Sequence, residues 1–259
     1  MSKIGAVALV AMLELCRRKD VYVLFILTTL ITLLAGSVNL FNESHIVRYV
    51  KEICLLLIWI CMLVIAVTMA GRHLPMEREQ RTIFPLLAKP ITRTQVLLGK
   101  FFGCWLSCLV ALVLFYALFG SMCFLRETDW RLLNYLQAML LHAAFLAVVV
   151  SMALLGSVIF AAPSSTTTIV SIISAAILLV GRHLHKVALS FAEPQQTLLT
   201  ILYYAVPHLE LFDVRDLIIH NWPLIPWGVC ALAILYGGAY TCVFLALACW
   251  RFNRKSVVA

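Results

Sequence analysis

Nine cysteines, eight methionines and seven histidines give this chain of 259 residues a large stock of metal-binding side chains. Cys104 and Cys108 stand four apart, and Cys54 and Cys61 seven apart, so each pair falls on one face of a helix. Met62 and Met69 share a stretch with Cys54 and Cys61, and His183-x-His185 follows another apolar run. Soft sulfur ligands of this kind suit Cu(I). Cysteine is also a small apolar residue that packs well between helices. No Cys-x-x-Cys pair occurs, so neither a zinc site nor a disulfide framework is indicated. The packing reading is preferred, and no metal is expected on this chain.

Other chemistry is equally thin. His142 is the one ionisable side chain deep inside an apolar run, where a lone histidine usually serves as a hydrogen-bonded core residue. Gly99-Lys100 ends like a phosphate loop, but Phe101 stands where Ser or Thr is needed and Thr94 where the earlier Gly is needed. Gly-x-Ser-x-Gly and His-Glu-x-x-His patterns are missing. The chain is therefore expected to carry no catalytic residues and not to be an enzyme.

The elements around these residues explain why. Apolar residues make up 63% of the chain, charged ones only 12%, and mean hydropathy is +1.01. This excludes a water-soluble domain, a disordered chain and a coiled coil, and leaves an all-α polytopic membrane protein. At about 20 residues per span, the expected order is an in-plane helix over 3–19, then six spans. These lie over about 21–40, 53–70, 101–125, 136–162, 166–181 and 224–250. A polar loop, 71–100, joins spans 2 and 3, Pro163-Ser164-Ser165 makes a tight turn, and a long loop, 182–223, precedes span 6. The ten apolar residues Ile4 to Leu13 are too few to span, and no small-x-small cleavage site follows them, so a signal peptide is not expected.

The six spans place both termini and the 71–100 loop on one side. That side holds thirteen basic and four acidic residues, and the other seven and eight. The basic side is expected to be the cytoplasm. The net charge of +8 thus follows from topology rather than from nucleic-acid binding. In the outer loop, Thr197 to Val206 and Leu209 to Ile219 read as short helices at the outer interface. Reading them as two more spans would put Asp213, Arg215 and Asp216 into lipid. Span 5 has small residues at Thr167, Ser171 and Ala175, and span 6 at Ala233, Gly237 and Thr241; both stripes suit close helix approach.

The 71–100 segment is the most distinctive. Glu77 and Glu79 are expected to open a helix, with Ile83, Leu86 and Leu87 on its apolar side and Arg78 and Arg81 beside them. Pro90 ends it, and Thr92 or Thr94 caps a second helix running through Gly99-Lys100 into span 3. The spans hold no carboxylate to bind a coupling ion, so any transport would draw its energy from elsewhere.

Glu-x-Glu-x-x-Thr-Ile-x-x-Leu-Leu-Ala-Lys-Pro-Ile-x-Arg, followed by Leu-Leu-Gly-Lys100, resembles the signature of ABC-2 type permeases, the membrane subunits of ATP-binding-cassette exporters. It is most similar to the branch named for permeases of multicopper-enzyme maturation. The resemblance extends to the in-plane helix, the six spans, the outer stretch from Tyr204 to Asp213 and the exit Trp250-Arg-Phe-Asn-Arg-Lys255. It implies a type V exporter-like fold in which the 71–100 loop is a coupling helix docked on a separate ATPase subunit. The matching positions are Glu77, Glu79, Arg81, Thr82, Pro90, Arg93, Gly99 and Lys100, with Tyr204, Pro207, Phe212 and Asp213 in the outer motif. Arg81 departs from the glycine that many relatives carry before the threonine. The implied partners are an ABC ATPase that binds ATP and Mg²⁺, a second permease copy or a sister permease, and the lipid of a bacterial cytoplasmic membrane. No cofactor is implied on this chain. A membrane anchor that recruits an ATPase without transport, and a copper-handling membrane protein, are the alternatives.

Overall fold

A computed structural model describes residues 3–16, 26, 29–30, 44–80, 92–125, 130–188, 193 and 195–254. The described elements are helical: α1 (Lys3–Cys16), α2 (Ser44–Glu79), α3 (Arg93–Phe124), α4 (Leu132–Ile159), α5 (Pro163–Ala188), α6 (Gln195–Ala205), a 3-10 turn (Leu209–Phe212), α7 (Arg215–Ile219) and α8 (Trp227–Arg254). Among the described residues, four helices are long and apolar enough to cross a membrane: Arg48–Glu79, Arg93–Phe124, Leu132–Ile159 and Trp227–Arg254. The expected spans 2, 3, 4 and 6 fall almost entirely within them. The expected first span, 21–40, lies almost wholly outside the described residues. The expected fifth falls in α5, whose described apolar stretch is Pro163–Leu179.

The element ends differ from the sequence expectation for physical reasons. Helix α2 begins nine residues early, at Ser44, because no Gly or Pro interrupts the run up to Ala70. It also continues through Pro75 to Glu79. The turn expected at Pro163-Ser164-Ser165 sits at 160–162 instead. Pro163 opens α5, where its missing N–H is no loss.

Helix α4 is the centre of the bundle. It packs against α2, α3, α5 and α8, and Leu146, Val149, Ala153 and Leu154 on it are fully buried. Helix α8 lies at the periphery, with Leu232 and Leu235 outward. Helix α1 lies on α3, with Val7, Ala8 and Ala11 inward and Leu9, Val10 and Leu13 outward. The fit depends on two glycines of α3. A Cβ at Gly99 would stand 2.6 Å from Val7 Cβ, and one at Gly103 would stand 2.7 Å from Ala11 Cβ. Small residues four apart allow this approach.

Residues 195–225 form a cap over the other end of the bundle. Loops and the ends of short helices leave carbonyls that other protein groups must satisfy, and three side chains of the long helices do so here. Lys51 Nζ donates to the Ile218 carbonyl at 3.3 Å, and Asn134 Nδ2 donates to the Leu217 and Trp222 carbonyls at 3.3 and 3.1 Å. Gln137 donates to the Ile225 carbonyl at 2.7 Å and accepts from the Ile225 N–H at 3.1 Å. Asn221 turns the chain with a positive φ of 51°, which asparagine tolerates. Gln137→Leu removes both Ile225 bonds and is expected to cost about 1–3 kcal/mol. Its apparent melting temperature in detergent should fall, with new protease cleavage near Trp222.

Candidate functional site

The expected coupling segment is anchored in the bundle at both flanks. On its N-terminal side, Glu77 and Glu79 occupy the last turn and a half of α2, not the first turn of a new helix. This corrects the sequence reading. A carboxylate at a helix C-terminus opposes the macrodipole, so Glu77 needs a compensating cation. Lys100 supplies it: its Nζ lies 2.5 Å from Glu77 Oε1 and 3.4 Å from His73 Nδ1. His73 Nδ1 is 4.0 Å from the same carboxylate oxygen. The Lys100 and His73 side chains are 2% and 1% exposed, and Glu77 is 15% exposed. These three form a nearly buried ionic clasp between α2 and α3. Glu79, two residues on, points to the outside.

On the C-terminal side, Thr92 caps α3 as the spacing suggests. Its Oγ1 accepts from the Gln95 N–H, and Gln95 Oε1 accepts from the Thr92 N–H, completing a capping box. Arg93 donates to the Phe252 carbonyl at 3.0 Å and lies over the Phe252 ring at 5.8 Å. A cation on the last carbonyls of α8 is favourable. Gly99 is covered by α1. Arg81, Thr82, Pro90 and the apolar positions Ile83, Leu86 and Leu87 lie outside the described residues.

The structure thus joins Glu77 to Lys100, 23 positions along the chain. It gives Arg93 and Gly99 structural partners in α8 and α1. His73 and Gly103 belong with these residues and were not singled out from sequence. His73 was legible as the i−4 neighbour of Glu77, and Gly103 as the i+4 partner of Gly99.

The cap motif also resolves residue by residue. Phe212 is 1% exposed and fills the space over Gly237, where a Cβ would stand 2.9 Å from its ring. Gly237 of the span 6 stripe therefore accepts the cap. Pro207 is buried and its carbonyl accepts from the Leu209 N–H at 3.0 Å. Tyr204 is exposed, and its carbonyl accepts from the Tyr240 hydroxyl at 3.3 Å. Asp213 holds Arg215 through two bonds of 2.7 and 2.8 Å, which raise the already high pKa of the guanidinium. Arg215 lies 5.7 Å over the Trp59 ring, and His142 stacks on the same ring at 4.8 Å. His142 Nδ1 is 3.4 Å from the Tyr116 hydroxyl. Arg215 of the cap and His142 of the core thus both contact the Trp59 ring.

Among the described residues, eight cysteines are thiols outside any disulfide bond, and Cys104 and Cys108 are buried in α3. Among the described residues, no three His, Cys, Asp or Glu side chains are grouped to hold a metal ion. The side chains of His183 and His185 lie outside them.

Comparison with curated proteins returns no match. The family described as ABC-2 family transporter protein matches residues 3–257, nearly the whole length. With its long apolar helices and the family match over nearly its whole length, the chain belongs to the ABC-2 transporter family as a multi-pass membrane permease.

Proposed function

We propose that this chain is the membrane subunit of an ATP-driven exporter in a bacterial cytoplasmic membrane, and that residues 71–100 couple it to a separate ATPase. ATP and Mg²⁺ belong to that ATPase, and a second permease copy or a sister permease completes the path. The full reading has six spans, both termini in the cytoplasm and the cap outside. The 77–100 signature supports the multicopper-maturation branch, with the substrate left open.

The observation that carries this reading is the Glu77–Lys100 clasp. It fixes the distance between the two ends of the segment, so a push on 81–91 is delivered to α2 and α3 together. It also divides the labour among the signature residues. Lys100 is buried and Glu77 mostly so, which suits both to hold the segment in place. Glu79 is exposed and available for docking.

The test is purification of the tagged chain from its native host in mild detergent, with co-eluting ATPase activity measured. Glu79→Lys is expected to lose most of that activity while the permease stays monodisperse. An unchanged yield of ATPase would remove Glu79 from the docking surface. A chain that elutes with no nucleotide-hydrolysing partner would overturn the coupling role.

A further inference from the structure

A cavity of about 560 Å³ lies between the cap-side halves of α3 and α4. Tyr116, Ala117 and Gly120 form one wall, Tyr135 and Met139 the other, and Trp130 stands at the end. The lining is almost wholly apolar.

Three observations select an occupant. The volume falls within the roughly 300–1,000 Å³ of small-molecule sites, and apolar cavities do not hold ordered water. The walls run out to side chains that face away from the bundle: Val113, Leu132 and Leu136 are 49%, 52% and 38% exposed. They sit on two helices fit to cross a membrane, so the medium at that opening is lipid hydrocarbon. Finally, Trp130 Nε1 is buried and has no hydrogen-bond partner among the described residues. Its ring is wedged between Phe124 at 5.2 Å and Tyr135 at 5.5 Å. A buried donor left in that state is destabilising, and an ester oxygen at the membrane interface would satisfy it. Tryptophan is the residue that usually marks that depth.

We propose that this cavity binds one acyl chain of a phospholipid from the leaflet on the cap side, with a glycerol ester oxygen accepting from Trp130 Nε1. The bound chain runs from the interface down to Tyr116 and ends beside the Tyr116–His142 contact. The site goes beyond the transport reading and does not depend on it.

The experiment uses the full chain in nanodiscs containing phosphatidylglycerol with a photoactivatable diazirine near the end of one acyl chain. Adducts are mapped by mass spectrometry. They should concentrate in 113–139 over the outward face of α8 at Leu232 and Leu235. Ala117, exposed at the mouth, is changed to Trp to fill the opening from the lipid side. Ala117→Trp should lower the 113–139 adducts about fivefold, a difference of about 1 kcal/mol, with the α8 adducts unchanged as the control for folding and insertion. Trp130→Phe should lower phospholipid retained through a detergent wash about fivefold, the worth of one net hydrogen bond. It should leave labelling by a diazirine hydrocarbon without an ester unchanged. Adducts no denser in 113–139 than along α8, or indifferent to Ala117→Trp, overturn the site. Equal retention by Trp130→Phe overturns the ester contact.

Discussion

Lys100→Met is expected to destabilise the permease by about 3 kcal/mol, because it removes one partner of a buried pair and leaves the Glu77 carboxylate without its ammonium. The lower end of the usual range applies because Glu77 keeps 15% of its side chain exposed. Glu77→Gln is expected to cost a similar amount, since it leaves the Lys100 ammonium against His73 alone. The double variant Glu77→Gln with Lys100→Met should cost less than the sum, because no buried charge is then uncompensated. The expected coupling is 1 kcal/mol or more, within the range of about 0.5–3 kcal/mol for residues in contact. Exchanging the two as Glu77→Lys with Lys100→Glu should recover part of the loss. Apparent melting temperatures in one detergent provide the comparison. Strictly additive single effects would mean that the clasp contributes no interaction of its own. In the transport reading, ATPase stimulation should follow the same order among variants that remain monodisperse.

The second large effect concerns the seat of α1. Gly103→Ala places a methyl 2.7 Å from Ala11 Cβ and 2.8 Å from the Ala8 carbonyl oxygen. The second contact is backbone, so no rotamer change relieves it. Overpacking of this kind costs about 1–3 kcal/mol, and α1 should lift from α3. Gly99→Ala meets Val7 Cβ at 2.6 Å and Val7 Cγ1 at 2.7 Å, both of one side chain, while its nearest backbone atom, the Ile4 carbonyl oxygen, is at 3.1 Å. Val7→Gly should therefore rescue much of Gly99→Ala and none of Gly103→Ala. Limited proteolysis within 3–16, with the melting temperature, distinguishes the two. Equal rescue would show that α1 shifts as a rigid rod and that the atom-by-atom fit does not set the cost.

Much of the bundle was legible because lipid-spanning helices announce themselves by composition. The runs at 53–70, 101–125, 136–162 and 224–250 fall almost entirely inside helices α2, α3, α4 and α8. The Thr92 cap was legible because a capping box is local in sequence. Glu77 was misplaced for a reason equally physical. A carboxylate after an apolar run reads as a helix start, and only the distant Lys100 makes a helix end tolerable there. The cap was legible as short helices, but not its attachments. Lys51, Asn134 and Gln137 bind backbone carbonyls, which carry no residue identity, so no pattern in the sequence pairs them. The span 6 stripe was read as a surface for another helix. Its Gly237 receives Phe212, a contact that depends on a loop folding back over the bundle.

That contact also fixes an order of events. Phe212 and His208 leave the ribosome before any residue of α8, yet Gly237 provides the ring's seat and the Tyr236 hydroxyl accepts from the His208 N–H at 2.9 Å. The 28 residues of α8 take roughly 1–6 s to synthesise at about 5–20 residues per second. For that interval the nascent cap has its partners on α2 and α4 but lacks its last wall. The final helix thus acts as the closing step of biogenesis, and a chain truncated before Trp227 would present Phe212 and its neighbours to chaperones and proteases.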